Sequence, residues 1–437
     1  MNRKININFD NLILTGIAFA AIGVAVSYAN LYLFHIWFLL ISILWLIKIK
    51  EAKYLYQIHA RYSYHTIFLL FMFLWYTISI MWAPDIIFGL KYLFYIFCGI
   101  IITSAIIQFS QSISRLNTLY KILSFIFIFE IVLALLESST SIRWPISPYS
   151  TWSTFFGKEP LDLISFNNPL IFSDFRPPTG FHWNTNNLAI TMVIILPFFL
   201  CTKRLSIKII GSLSVTIITI FSGSRAVFIA LITVYTLYLL IIKKKISTIS
   251  LVWILIGSLF LGMNILSESN NPRINELANS FKALELFLKG DIDIGGSIEW
   301  RRKLIDDGIN SLIGSNGLGV GAGGSTALQE EIGGVAGRFT SMHNFWIELL
   351  VEGGIVFGVL GLIWYSNIIY NLFIVSKNKT SRDLKFYSES LILSMFAFIP
   401  SAVAASSTIY FFPMWIMIGM AISTISLNRK NSLIIKS

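Results

Sequence analysis

The sequence is poor in charged residues and in cysteine. Only 13% of its 437 residues are Asp, Glu, Lys or Arg, whereas a soluble domain has about 25%. This shortage argues against a water-soluble fold, because a solvated surface needs more charge. The two cysteines, Cys98 and Cys201, lie in or beside apolar stretches and lack the spacing of a zinc site. We therefore expect no disulfide framework, and we interpret both thiols as small buried apolar groups.

The chain is rich instead in long apolar stretches. Hydrophobic residues make up 55% of it, and stretches of about 20 apolar residues match the hydrocarbon thickness of a bilayer. We predict an all-α polytopic membrane protein, a single integral membrane domain over residues 1–437, with about twelve transmembrane helices. The predicted spans are 11–29, 31–47, 65–83, 86–107, 119–137, 186–202, 206–222, 225–242, 246–266, 343–373, 386–405 and 408–427. The first resembles a signal peptide, but we interpret it as a retained span.

The positions of Lys and Arg predict how the chain is oriented. With the N-terminus in the cytoplasm, all seven cytoplasmic segments are short and carry at least two positive charges. The short outer turns carry almost none, as the positive-inside rule requires. Both termini are therefore predicted to be cytoplasmic. Membrane orientation also accounts for the net charge of +11, so no nucleic-acid partner is expected.

Two of the predicted outer segments are long, 138–185 and 267–342. Long irregular segments are uncommon unless they are functional, so we expect the functional site on the outer face. Helical spacing in the second segment predicts an amphipathic helix on the membrane surface, formed by Ile274, Leu277, Phe281, Leu284 and Leu288. A second short helix is predicted from Glu299 to Leu312.

Three polar positions lie near predicted outer ends of spans. Arg225 begins a span, where an arginine is costly unless it has a partner or faces water. Its guanidinium could bind phosphate in a bidentate fork; the alternative is an arginine that snorkels to the headgroups. His343 opens another span and is suited to proton transfer near neutral pH; the alternative is a helix cap. Arg176 precedes a proline-containing turn and is a further candidate phosphate ligand.

A glycine-rich stretch, residues 317–324, contains a formal G-x-G-x-x-G pattern. A dinucleotide site would need a preceding strand, a following helix and an acid about 20 residues later. It would also need a nucleotide, which is scarce outside the cell. We therefore prefer a tight turn packed close to other backbone, which glycine permits.

Three segments occur together in a characteristic order. They are Gly223-Ser224-Arg225, the glycine-rich stretch Gly317 to Gly323, and His343-Asn344 followed by a span containing Glu348 to Gly354. In order and spacing they resemble the bacterial O-antigen polymerase and O-antigen ligase superfamily. The stretch from Arg176 to Asn187 also resembles a family segment, and the resemblance is clearest over residues 176–361.

The resemblance implies a metal-independent glycosyltransferase that needs no cofactor. It uses saccharides linked to undecaprenyl diphosphate, on the outer face of the bacterial cytoplasmic membrane. On this interpretation Arg225, Arg176, Arg301 and Arg302 are candidate ligands of the diphosphate. Fixed cations there would stabilise the charge that develops on the leaving phosphate oxygens. His343 is the candidate catalytic base, and attack opposite the diphosphate would invert the anomeric centre.

Several functions remain compatible with these residues. We favour a polymerase that joins lipid-linked repeat units into O-antigen, capsule or exopolysaccharide. A ligase would transfer the chain to lipid A core, lipopolysaccharide or another acceptor, including protein. A transporter or flippase would also have many spans, but two-half transporters usually show repeat symmetry and none is detected here. A purely structural membrane protein fits the polar outer segments least well.

Expected partners are lipid-linked donor and acceptor saccharides, membrane lipid, a chain-length regulator and a flippase.

Overall fold

The computed structural model describes residues 9–47, 64–160, 177–243, 297–335, 340–378, 381–405 and 409–436. The helices among these residues are α1 (Phe9–Ile22), α2 (Leu33–Ile47), α3 (Tyr64–Ser79), α4 (Ile86–Phe109), α5 (Ile113–Ser139), α6 (Thr185–Cys201), α7 (Leu205–Ser222), α8 (Arg225–Leu237), α9 (Ser297–Gly314), α10 (Gly324–Glu331), α11 (Phe345–Lys377), α12 (Arg382–Ser401) and α13 (Phe412–Lys436). A two-residue hairpin pairs β1 (Ser27–Tyr28) with β2 (Leu31–Tyr32). Short 3-10 turns cover Gly23–Ala25, Ile80–Trp82 and Thr151–Phe156, and α8 continues as a π-helix over Tyr238–Lys243.

Six of the described helices are long and apolar enough to cross a membrane: Tyr64–Trp82, Ile86–Phe109, Ile113–Ser139, Leu205–Ser222, Arg225–Lys243 and Phe345–Lys377. Shorter apolar helices cover Asp10–Ala25, Leu33–Ile43 and Thr185–Cys201. Apolar side chains on these helices are exposed, such as Ile87 at 77% and Phe125 at 75%; a soluble protein rarely shows such surfaces. The all-α membrane fold is thus confirmed. The full count of twelve spans stays a prediction, because the span at 246–266 and the amphipathic helix at 274–288 lie outside the described residues.

The first span is shorter than predicted. Helix α1 ends at Ile22 because Gly23 adopts a left-handed conformation with φ of 55°, a common way to end a helix. The chain then reverses through β1 and β2, and α2 begins at Leu33. The indole of Trp37 on α2 donates a hydrogen bond to the carbonyl of Leu12 on α1, at 3.1 Å. The two helices therefore form a hairpin.

The ends of the bundle can be assigned from contacts between helices. Cys201, at the end of α6, lies near Lys208, Lys243 and Glu389. The amine of Lys208, on the first turn of α7, donates to the hydroxyl of Tyr238 at 3.1 Å. Lys243 lies at the end of the continuation of α8, and Glu389 lies near the start of α12. Because both are near Cys201, the packed helices α8 and α12 are antiparallel. The starts of α6 and α8 therefore share the opposite end with the end of α12. We call the end of the bundle that contains Lys208 the Lys208 end. The opposite end, where α8 begins, is the Arg225 end.

Helix α11 folds back on itself at Gly354. This glycine has φ of 84° and ψ of 170°, outside the helical range. The rings of Trp346 and Tyr365 are 5.2 Å apart, whereas a straight helix would separate them by about 28 Å. The first arm, Phe345–Gly353, therefore packs antiparallel against the second arm, Ile355–Lys377.

The fold-back corrects the prediction of one continuous span over 343–373. Only the second arm is long enough to cross a hydrocarbon layer about 30 Å thick. The first arm begins at Phe345, whose backbone amide donates to the carbonyl of Ala402 at 3.3 Å. The chain thus enters the bundle at the level where α12 ends, rises along the first arm and descends along the second.

The break at Gly354 removes the helical partners of several backbone groups. Buried backbone groups must be paired, and here the glycine-rich stretch 317–324, which we call the glycine loop, supplies the partners. The replacement bonds run from Val320 N to Val351 O (2.9 Å), from Gly321 N to Glu352 O (3.1 Å), from Ile355 N to Gly317 O (2.9 Å) and from the Trp75 indole to Gly353 O (2.8 Å). The loop is therefore part of the structure of α11.

Glycine is required in this loop by the closeness of other backbone. Gly319 has φ of 91°, and a Cβ there would lie 2.5 Å from the amide nitrogen of Gly354 and 2.6 Å from the carbonyl oxygen of Glu352. Both distances are shorter than van der Waals contact allows. The interpretation of this stretch as a tight turn packed against other backbone is confirmed. The short helix predicted from Glu299 to Leu312 is also confirmed, as α9.

Replacing Gly319 with alanine should destabilise the protein. The Gly319→Ala side chain meets immovable backbone at a positive φ, so we expect a loss of about 2 kcal/mol or more. The measurement is the thermal unfolding midpoint of the purified protein in detergent. Gly314→Ala is the matched control, because a Cβ at Gly314 has nothing within 4 Å. Equal midpoints for the two variants would contradict the role given to the glycine loop.

Candidate functional site

His343 is held by the end of α12. Its imidazole hydrogen-bonds with the backbone carbonyl of Ala404. Its φ is 50°, a strained value for a residue other than glycine and one often found at functional sites. The cap of α11 is the next residue, Asn344, whose side chain accepts from the amides of Trp346 and Ile347 at 3.2 and 3.3 Å. The alternative that His343 serves as the helix cap is therefore wrong.

The imidazole of His343 is kept neutral by its surroundings. Burial lowers the pKa of His343, and the nearby guanidinium of Arg301 lowers it further, to about 4. One ring nitrogen donates to the carbonyl of Ala404, which leaves the other as an acceptor. At neutral pH the ring can therefore accept a proton beside a fixed positive charge.

The other predicted arginines lie in different surroundings. Arg302 is turned away from His343: its side chain is 72% exposed and lies 3.8 Å from Asp306, one helical turn later. Arg225 is partly buried at the start of α8, at the Arg225 end of the bundle, where the end of α12 also holds His343. Arg176 lies outside the described residues. The structure thus brings Arg301 to His343 and places Arg225 at the same end, and the role of each arginine stays a prediction.

Two acidic residues on the first arm of α11 have partners on other helices. Glu348 accepts a hydrogen bond from the hydroxyl of Tyr92 on α4, at 3.0 Å. Glu352 accepts from the hydroxyl of Ser325 on α10, at 2.6 Å. Both side chains are almost completely buried. They fix the first arm against α4 and α10, and so they help to position His343.

Sequence reasoning missed a carboxylate that organises the segment after Arg176. Glu137, near the end of α5, accepts from the backbone amides of Thr179, Gly180 and Trp144 at 2.7, 2.8 and 3.1 Å. The sequence signal that could have revealed it is an acidic residue within an apolar span. Placing such a residue in the membrane costs free energy, so it usually has a function or a partner. Here it fixes the turn that leads into α6.

His182 lies in the same turn and also contacts an acid from α5. Its Nε2 is 3.3 Å from Oε1 of Glu130 and 2.9 Å from the hydroxyl of Thr191. Burial lowers the pKa of His182 to about 3, so its ring is neutral at pH 7. We therefore interpret the contact with Glu130 as a close polar contact of a neutral ring rather than an ion pair.

Comparison with known proteins shows which families the sequence resembles. A family model described as O-antigen ligase matches residues 210–366, which include Arg225, Arg301, Arg302, the glycine loop and His343. This match supports the resemblance of the chain to the O-antigen ligase and polymerase superfamily. The teichuronic acid biosynthesis protein TuaE of Bacillus subtilis (strain 168) is 22% identical over 374 residues, which cover 84% of this chain and 72% of that protein.

The two matches agree with the resemblance found in the sequence and support the broad function. The chain is a polysaccharide biosynthesis protein of the O-antigen ligase or polymerase type. The match covers α11 from its start to Ser366. It also includes α9 and α10, the two helices that flank the glycine loop. The turn held by Glu130 and Glu137 lies before the match. The two halves of the Arg225 end therefore come from different parts of the sequence.

Removing the carboxylate of Glu137 should destabilise the turn before α6. Glu137→Ala leaves three amides without their acceptor, and two of these amides belong to fully buried residues. Each buried unsatisfied group costs about 1–3 kcal/mol, so the unfolding midpoint in detergent should fall clearly. Glu330→Ala, at an exposed position, is the control and should leave the midpoint unchanged. A stable Glu137→Ala variant would show that the turn does not need this carboxylate.

Proposed function

We propose that the protein is a glycosyltransferase that polymerises oligosaccharide repeat units linked to undecaprenyl diphosphate, on the outer face of the bacterial cytoplasmic membrane. The observation that carries this proposal is the pairing of a neutral, fixed imidazole with a cation. His343 and Arg301 lie together at the end of the bundle where α8 begins with Arg225. A proton acceptor and phosphate ligands at one site are what transfer from a lipid diphosphate requires.

The reaction follows from these groups. The hydroxyl oxygen of the acceptor saccharide attacks the anomeric carbon of the donor, and the bond from that carbon to the diphosphate oxygen breaks. The electron pair stays on the departing lipid diphosphate, where Arg225 and Arg301 stabilise the negative charge. His343 takes the proton of the acceptor hydroxyl. Attack opposite the diphosphate inverts the anomeric centre, and the activated donor supplies the driving force.

Arg301 links donor binding to the basicity of His343. In the unoccupied site its charge lowers the pKa of the imidazole. A bound diphosphate neutralises this cation, and its own negative charge favours a protonated ring. The pKa of His343 then rises toward the working pH when the donor is present, where a general base is most effective.

Ligase activity is the second candidate, and the match to the O-antigen ligase family model favours it. A ligase would use the same donor and the same residues, but a different acceptor would receive the chain. The acceptor requirement therefore separates the two activities. A polymerase needs only lipid-linked repeat units, whereas a ligase needs lipid A core or another final acceptor.

Purified protein in vesicles that contain lipid-linked repeat units as the sole saccharide should lengthen them. His343→Ala and Arg225→Ala should each slow elongation about 100-fold or more, measured as product length by gel electrophoresis. Lys303→Gln, on the exposed side of α9, is the control and should elongate normally. Elongation only after a second acceptor is added would indicate a ligase, and movement of substrate without elongation would indicate a transporter. Normal elongation by both site variants would exclude the mechanism.

The pH dependence of elongation should report the pKa of His343. The proton acceptor must be neutral, so kcat/KM should fall only as pH drops through about 4, the lowered pKa of the free protein. Arg301→Gln removes a cation that disfavours the protonated ring, so the pKa rises and the acid limb should move to higher pH. The overall rate should also fall, because Arg301 binds donor. An acid limb at the same pH in both proteins would contradict the role of Arg301.

A further inference from the structure

A polar cavity of about 500 Å³ lies at the Arg225 end, beside the turn that carries His182. Its volume is in the range of small-ligand sites. Its wall combines aromatic rings, amides and two lysines from five parts of the chain, including Lys91, Tyr95, Lys158, Trp183, Asn184 and Asn187. All of these residues precede the stretch matched by the O-antigen ligase model. Neither His343 nor Arg301 lines the cavity, so the cavity is distinct from the cluster that these two residues form.

The two lysines give the cavity its charge. The amine of Lys158 lies 5.0 Å from the ring centroid of Trp183, a cation–π contact. Lys91 is in the second turn of α4, within an apolar span, where a charged residue usually serves a ligand or a partner. Among the described residues, neither amine has a carboxylate within ion-pair distance. Glu159 also lines the cavity, so the wall keeps an excess of positive charge.

The cavity has amide groups suited to a polyhydroxylated ligand. The side-chain oxygen of Asn187 is buried and has no hydrogen-bond partner in the described part of the chain. A buried polar atom of this kind costs free energy unless something binds it. Together with the rings of Tyr95 and Trp183, it suits a sugar better than a simple phosphate ion, because aromatic faces pack against the apolar faces of sugar rings.

An apolar groove of about 410 Å³ begins where the polar cavity ends. Its walls come from the first half of α5, the second half of α6 and the start of α13. Pro413 lines both the cavity and the groove. Asn117, near the start of α5, donates to Asp383 near the start of α12, so the groove extends toward the Lys208 end. Phe125 and Ile128 are exposed at its edge, which opens it to the membrane.

We propose that this cavity and groove together bind a second polyprenyl-diphosphate-linked saccharide, which serves as the acceptor. The diphosphate pairs with Lys91 and Lys158, the sugars lie against the aromatic and amide wall, and the polyprenyl chain occupies the groove. The continuity of the two parts at Pro413 supports a ligand with a charged polar head and a long hydrocarbon chain. The acceptor role rests on the proposed function, in which Arg225 and Arg301 hold the donor.

Calorimetric titration of the purified protein in detergent with geranylgeranyl diphosphate tests the site. We expect two classes of binding, one for each lipid diphosphate. Lys91→Gln and Lys158→Gln should each weaken one class about tenfold, and Arg225→Ala should weaken the other. Ile128→Trp, which fills the groove at an exposed position, should also weaken the lysine-dependent class. Lys430→Gln, exposed near the end of α13, is the control and should bind as the wild type does.

Three results would overturn the site: unchanged binding by both lysine variants, equal binding of inorganic diphosphate, or equal competition by a short-chain phosphatidylglycerol. Equal competition by phosphatidylglycerol would indicate that the site binds an ordinary phospholipid.

In the elongation assay, the lysine variants should raise the KM for acceptor. If His343→Ala abolishes elongation while the lysine variants bind and elongate normally, this inference fails and the proposed function stands. If the wild type never elongates but lysine-dependent binding persists, the lipid-diphosphate site stands and its acceptor role falls.

Discussion

The architecture depends on hydrogen bonds between the glycine loop and the broken backbone of α11. A buried amide or carbonyl without a partner is costly, and a hydrocarbon interior has no water to supply one. The break at Gly354 is tolerated because residues 317–321 replace the lost helical partners. The break in turn sets the direction of the first arm, and that arm places His343 against the end of α12. The position of the His343 imidazole therefore depends on the hydrogen-bonded contact between the glycine loop and the break in α11. We call this contact the joint, and it has no chemical role of its own.

The Arg225 end is positively charged but contains neutral histidines. Arg301 lies near His343, Arg225 begins α8 at the same end, and Lys91 and Lys158 line the cavity beside His182, yet burial lowers the pKa of both imidazoles so that the rings are unprotonated at pH 7. This separation matters for a protein that handles lipid diphosphates. Permanent cations attract and hold the anionic ligands, whereas the imidazoles stay available as acceptors or donors of single protons.

Much of the fold could be predicted from the sequence, because span positions depend on local apolar length. The fold-back of α11 could not, since a glycine in a helix is ambiguous until its distant partner, the glycine loop, is known. The candidate site was predicted in part. The structure places Arg225 and His343 at one end of the bundle, and their roles stay predictions. Arg301 and Arg302 could not be distinguished from the sequence alone, because neighbouring residues on a helix point about 100° apart. Arg176 is not described, and Glu137 was missed.

The joint in α11 has a consequence for how such proteins diverge. Its bonds connect main-chain atoms, apart from the one made by Trp75, so selection there acts on residue size and backbone torsion rather than on side-chain chemistry. Substitutions around the joint are tolerated as long as the few crowded positions remain glycine. Sequence identity can then fall to low levels while the joint persists, and the surfaces that recognise different sugars are free to change.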